Sequence, residues 1–155
     1  MTGWRVLDNA RLLRAAEKLL SAPPLRVTPA HEAAEALGWT ITNHRPRSNA
    51  FLDSGWGLGP YSAYFNIDRE DRVTGVIANI TEEIGDSGPQ AEAFKQDTFA
   101  TAANTLTEVY GPPTDRRPGK EPELWWRRDT VTLRLITTHD AIALQLTPTE
   151  RLEEF

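Results

Sequence analysis

The stretch from Pro89 to Thr114 constrains this chain most. Phe99, Ala102, Ala103, Leu106, Val109 and Tyr110 recur at i, i+3, i+4, i+7, i+10 and i+11, one side of a 3.6-residue period. Asp86-Ser87-Gly88-Pro89 offers cap residues and a proline near the first turn. Gly111-Pro112-Pro113-Thr114 stops the pattern, since proline has no N–H to donate and restricts the residue before it. The reading is one helix from Pro89 to Tyr110. Ala102 and Ala103 are small, so this helix can lie close to a sheet. Phe94 falls to the side of the stripe, and Gln96, Thr101, Asn104, Thr105 and Glu108 form the opposite face.

Two shorter helices precede it. Asp8 or Asn9 caps a helix through Leu20, with Leu12, Leu13, Ala16, Leu19 and Leu20 on one face and Pro23-Pro24 beyond its end. Thr28 caps a second helix with Pro29 at its first position, Glu32 in the first turn and Gly38 as the left-handed stop after Leu37.

Between the helices the pattern changes to period two. Trp39 to Thr42 reads as a strand, and residues 43–60, rich in Pro, Gly and Asn, read as an irregular loop of the kind that is often functional. Tyr61, Ala63, Phe65 and Ile67 share one face of the next strand. Asp68 to Asp71 form a charged turn into Val73–Ile80, apolar on both faces and therefore central; Gly75 marks a bulge or a close backbone approach. After the proline stop, Leu124–Arg128, Val131–Leu135 and Ile142–Leu146 read as three strands, followed by a short helix or tail at Glu150–Phe155. The tight turns predict mainly antiparallel pairing. The expected architecture is one α+β domain over residues 1–155. It has a mainly antiparallel sheet of five to six strands, a long helix on one face, and two short N-terminal helices.

Charge narrows the classes of partner. The net charge is −5, with seven Lys/Arg against five Asp/Glu in residues 1–60 and ten against seventeen in the remainder. An acidic C-terminal portion argues against nucleic acid as the main partner and suits a basic protein surface. No apolar run is long enough for a membrane span, and the N-terminus lacks a basic-then-apolar signal pattern. With no cysteine there is no disulfide framework and no thiolate chemistry. These features predict a cytoplasmic protein.

Catalytic signals are absent from the pattern. His31, His44 and His139 have no ligand spacing, so neither a metal nor a cofactor is expected. His139-Asp140 sits in a turn, where adjacent side chains seldom face each other. Gly55-x-Gly57-x-Gly59 is followed by Pro60 and a strand, whereas a phosphate cradle needs a helix start. Ser48, Ser54, Ser62 and Ser87 lie in no nucleophile motif. Glu82-Glu83, Asp68/Glu70/Asp71 and Glu121/Glu123 read as solvated turns. Aromatic residues are more informative: Trp56, Tyr61 and Tyr64 flank the irregular loop, and Trp125-Trp126 lie side by side on a strand, one inward and one outward. An outward tryptophan beside Arg127 and Arg128 makes a contact anchor, because Trp, Tyr and Arg dominate interface hot spots. The alternative is that the 112–122 loop covers it.

Five segments together carry a family resemblance: Glu35-Ala36-Leu37-Gly38-Trp39, Phe99-Ala100 through Leu106, Tyr110 to Thr114, Glu123-Leu124-Trp125-Trp126, and Ala143 to Pro148. The pattern resembles an actinobacterial family, domain-of-unknown-function family 6301. That resemblance supplies no catalytic residues. It implies a small cytosolic protein of the type found among immunity proteins to polymorphic toxins. The element order is also similar to type III secretion chaperone-like folds, by analogy alone.

The expectation is a non-enzymatic immunity protein that occludes a basic toxin surface, contacting it through Trp56, Tyr61, Tyr64, Trp126, Glu82, Glu83 and Asp86. A secretion-chaperone or adaptor role is the alternative, and an enzyme without recognisable motifs the third reading.

Overall fold

Local chemistry sets the helix boundaries. In the computed structural model, which describes residues 4–85 and 87–154 with side chains to Leu152, helix α1 spans Asn9–Leu20. Asp8 caps it, its carboxylate accepting from the Arg11 N–H at 2.8 Å. Helix α2 spans Ala30–Leu37 and ends at Gly38, whose φ of 72° is left-handed. Thr28 does not cap α2. Its hydroxyl turns back to donate to the Pro24 carbonyl at 2.8 Å, and Pro29 takes the cap position without a side-chain bond. Helix α3 spans Pro89–Tyr110, as the proline stop implies.

The sheet corrects the expected strand count: it has eight strands, not five to six. They are β1 (Thr40–Arg45), β2 (Asn49–Asp53), β3 (Ala63–Ile67), β4 (Val73–Asn79), β5 (Asp115–Arg117), β6 (Glu123–Arg127), β7 (Val131–Thr137) and β8 (Ile142–Pro148). The spatial order is β1-β2-β3-β4-β8-β7-β6-β5, antiparallel throughout. Two strands account for the difference. The breaker-rich run at 43–49 is the end of β1 and a tight turn, with Arg47 at φ 65° and the Ser48 N–H bonded to the Arg45 carbonyl at 3.1 Å. Ala50 and Leu52 of β2 then face the core. Strand β5 is a three-residue edge with no apolar alternation, held by its ladder to β6.

The topology explains where α3 must sit. The first meander builds β1 to β4 outward in sequence. The chain then leaves through α3 and begins the second meander at the far edge, β5, working inward until β8 closes on β4. Crossing from the centre of the sheet to its edge lays α3 over β7 and β8, beside α1. One core results, from Leu12, Leu19, Leu37, Leu52, Phe65, Val76, Leu106, Trp126, Leu135, Leu144 and their neighbours.

The stripe on α3 is rotated from its expected place. Ala91, Thr98, Ala102, Thr105 and Leu106 are buried, and Phe99, Ala103 and Tyr110 are half-buried. Val109, expected on the inner face, is 52% exposed, and Thr105, expected outside, is inside. Threonine is tolerated there because its hydroxyl donates back to the Thr101 carbonyl at 3.1 Å. A bulge between Asn66 and Ile67 faces Gly75 on β4, where a Cβ would stand 3.0 Å from the Asn66 amide nitrogen. Of the two features expected of that glycine, the bulge is present, and the close neighbour is a side-chain amide rather than backbone. Among the described residues no helix is long and apolar enough to cross a membrane.

Candidate functional site

Helices α1, α2 and α3 join one face of the sheet in the main core, while a 3-10 helix at Thr149–Glu154 brings Arg151 to a cavity it shares with Gln145 on the other face, where function is sought. Strand alternation defines a transverse row on that face: Asn43, Phe51, Tyr64, Ile77, Gln145, Arg134, Trp125 and Asp115, each register-paired with the next. The row has two halves of different character.

From Gln145 to Asp115 the side chains are committed to one another. Arg134 is 4% exposed. It donates to the Gln145 Oε1 at 2.9 Å, the Thr147 Oγ1 at 3.4 Å and the Glu123 Oε1 at 2.7 Å. The Trp125 indole N–H donates to the same Glu123 oxygen at 2.8 Å. Its ring lies between guanidinium groups, Arg117 at 4.4 Å and Arg134 at 5.1 Å from the centroid. At the edge, Arg127 grips Asp115 with Nε at 3.0 Å and Nη2 at 2.9 Å. Those Arg127 bonds, with help from the Thr114 hydroxyl, hold the Asp115 carboxyl below the usual range against the opposing effect of burial.

From Asn43 to Ile77 the row is open. Asn43, Phe51, Tyr64, Ile77 and Asn79 floor a cavity of 590 Å³, walled by residues 58–61 and by Glu83, Thr138 and Asp140. Phe51 joins Tyr61 and Tyr64 edge-on, with centroids 5.4 and 5.1 Å apart. Backbone bonds fix the walls. The Thr42 hydroxyl donates to the Pro60 carbonyl at 2.7 Å, the Asn79 N–H to the Ser62 carbonyl at 2.8 Å, and the Ile84 N–H to the Asp140 backbone carbonyl at 2.6 Å. A second, charged cavity of 670 Å³ adjoins it through Glu83 and Asp140.

The residues expected to touch a partner divide accordingly. Tyr61, Tyr64 and Glu83 meet at the 590 Å³ cavity, and Tyr61 is 57% exposed. Trp56 lies elsewhere, half-buried against the helix-side core with the Lys18 ammonium 5.9 Å from its ring. Glu82 is engaged, its Oε1 accepting from the Arg5 N–H at 2.7 Å. Trp126 is 5% exposed within the main core, its indole N–H donating to the Gly111 carbonyl at 2.8 Å, so it is no surface anchor. Trp125 is the outward member of the pair, yet it is 1% exposed beneath its arginines. Asp86 lies outside the described residues. Phe51, Asn43, Asn79 and Asp140 were not anticipated. The signal for the first was the alternation Ala50-Phe51-Leu52 inside a segment dominated by turn formers.

Histidine chemistry was also regrouped by folding. His44 Nε2 lies 3.0 Å from Asp71 Oδ1, and the His31 ring stands edge-on to His44 at 5.1 Å. The Arg47 N–H bonds the same Asp71 oxygen at 3.3 Å, so this group pins the β1–β2 turn to the β3–β4 turn. Asp140 pairs with the Thr138 hydroxyl at 3.3 Å rather than with His139. Among the described residues no group of three or more His, Cys, Asp or Glu side chains is placed to hold a metal ion.

Residues 10–148 match the model of a family of unknown function, DUF6301. The chain belongs to DUF6301. The match spans α1 through β8 and so includes both halves of the transverse row. No curated protein matches the sequence. A solved structure with the same fold is a DUF4309 family protein (YjgB) from Bacillus subtilis. It is 13% identical, with a TM-score of 0.52 over 90% of this chain and 97% of that one. At that identity the likeness concerns fold, not site.

Proposed function

We propose that this DUF6301 chain is a non-enzymatic protein-binding module, a cytoplasmic immunity protein that neutralises a cognate toxin by occluding its active surface. One observation carries the reading: the open half of the second sheet face gathers Phe51, Tyr61 and Tyr64 beside Glu83 and Asp140 around one cavity. Aromatic side chains that are rigid and partly exposed give contact area at low entropic cost, and they recur at interface hot spots. The acidic rim suits a toxin whose surface is basic, as enzymes acting on nucleic acids commonly are.

Co-expression tests this directly. A toxin domain encoded beside this gene should kill cells alone and spare them when this chain is present, and the two should co-purify. Tyr61→Ala with Glu83→Gln should weaken both protection and complex without altering the thermal midpoint. A neighbouring gene product that is neither toxic nor bound overturns the proposal.

A further inference from the structure

We infer that the 590 Å³ cavity receives an arginine side chain of the partner protein; this rests on the binding role proposed above and names the group recognised. Among the described residues its lining includes two carboxylates, Glu83 and Asp140, and no Lys, Arg or His. A cation is therefore the complementary occupant. Three aromatic rings, Phe51, Tyr61 and Tyr64, line it, and a ring quadrupole attracts a cation at its face.

Uncommitted polar groups point the same way. Elsewhere on this face carboxylates are taken: Asp115 by Arg127, and Glu123 by Arg134 and Trp125. Around the cavity, the Glu83 carboxylate and the side-chain amides of Asn43 and Asn79 make no hydrogen bond or ion pair among the described residues. Between them they supply one carboxylate and two amide carbonyl acceptors, besides the amide N–H donors. A guanidinium has five N–H donors in a plane that can stack on a ring while its edge bonds a carboxylate; an ammonium offers three donors at a point. The Trp125 site on the same sheet shows the chain using that arrangement internally, with Arg134 against the ring and Glu123 at its edge. The adjoining cavity shares Glu83 and Asp140 and is also lined by Lys95 and Lys120; Lys95 is held by Glu92 and the His139 carbonyl, both at 3.3 Å, and among the described residues neither lysine forms an ion pair with Glu83 or Asp140.

The test uses the whole chain and a capped Gly-Arg-Gly peptide, with the Gly-citrulline-Gly peptide as its neutral, nearly isosteric control. NMR titration should move resonances of Phe51, Tyr61, Tyr64, Asn79 and Glu83 with the arginine peptide, and the citrulline peptide should bind at least tenfold more weakly. Glu83→Gln and Tyr61→Ala, both at exposed positions, should each weaken arginine binding by about tenfold with unchanged folding. Equal binding of the two peptides, shifts that map elsewhere, or no effect of either substitution overturns the inference. Toxin neutralisation that survives Glu83→Gln and Tyr61→Ala also overturns it while leaving the immunity role standing. Arginine binding at this cavity in a chain that neutralises no toxin would support the recognition and overturn the role.

Discussion

Replacing Arg134 by Met, alone and together with Glu123→Gln, asks whether the committed half of the row acts as one charge network. Arg134→Met removes the bonds to Gln145, Thr147 and Glu123 and the cation over Trp125. It leaves the Glu123 carboxylate with only the Trp125 N–H in a site where its side chain is 26% exposed. Breaking a buried pair costs about 3–5 kcal/mol, and partial access of water to Glu123 places this case near about 3. Glu123→Gln keeps an acceptor of the same shape and removes one charge-assisted bond while Gln145 still holds Arg134, a loss of about 1.5 kcal/mol. In the double variant the Glu123 charge is not stranded, so its loss should be about 2.5 kcal/mol rather than the additive figure of about 4.5, a coupling of about 2. Urea unfolding followed by circular dichroism measures all four corners. For a chain of this size Arg134→Met alone should lower Tm by about 6–12 °C. If the two losses add to within about 0.5 kcal/mol, the side chains are energetically independent and the reasoning fails.

Trp126→Ala should cost about 3–5 kcal/mol in the same assay, whereas Val109→Ala should stay within about 0.5, because the structure places the first in the core and the second in solvent. Asp115 and Asp68 have depressed carboxyl pKa values. For Asp115 the leading cause is Arg127; for Asp68 burial acts upward but is outweighed by the backbone N–H groups and charge of Arg72 and the N–H of Glu70. Their contribution is therefore present above the unfolded value of about 3.9 and lost as pH falls through the lower folded values. Asp115→Asn should flatten stability measured from pH 5 to pH 2. Tyr110 is shifted upward, first by burial and then by the Glu17 charge, with Arg128 opposing, and its hydroxyl finds no hydrogen-bond partner among the described residues. Its share of stability is held below about pH 10 and lost as pH rises through the higher folded value; Tyr110→Phe should abolish that dependence and stabilise the protein at pH 7 by up to about 1 kcal/mol.

What the sequence reveals depends on how the signal is encoded. The ends of α1, α2 and α3 were legible because Asp8, Gly38 and Gly111-Pro112-Pro113 act through local backbone chemistry. Strand β2 was hidden because the turn before it and the loop after it carry the same Pro, Gly and Asn residues that make a long loop. Its five residues offer only Ala50 and Leu52 as inward markers. Strand β5 exists through pairing with β6, a non-local cause with no trace in Asp115-Arg116-Arg117. The rotation of α3 was missed because Thr98 and Thr105 read as polar although both are buried, one through a back-bond that hides its hydroxyl. Period two correctly placed Trp125 and Trp126 on opposite faces. It could not say that the outward face is covered, because that depends on Arg134 and Arg117 arriving from β7 and β5.

The same contrast bears on the binding role proposed above. A sheet face left bare by α-helices must either satisfy its own polar groups or leave them to water and ligands. In β6, β7 and β8 this chain takes the first course: Arg134, Glu123, Gln145 and Trp125 bury one another. In β1 to β4 it takes the second. Phe51 contacts Tyr61 and Tyr64 at an open cavity, and Glu83 beside them makes no ion pair among the described residues. The capacity to close that half was available, since arginine-over-tryptophan packing is used a few strands away. A partner that supplies the missing cation would complete the row across all eight strands, so the open half, rather than the tryptophan pair, is the place to seek contact.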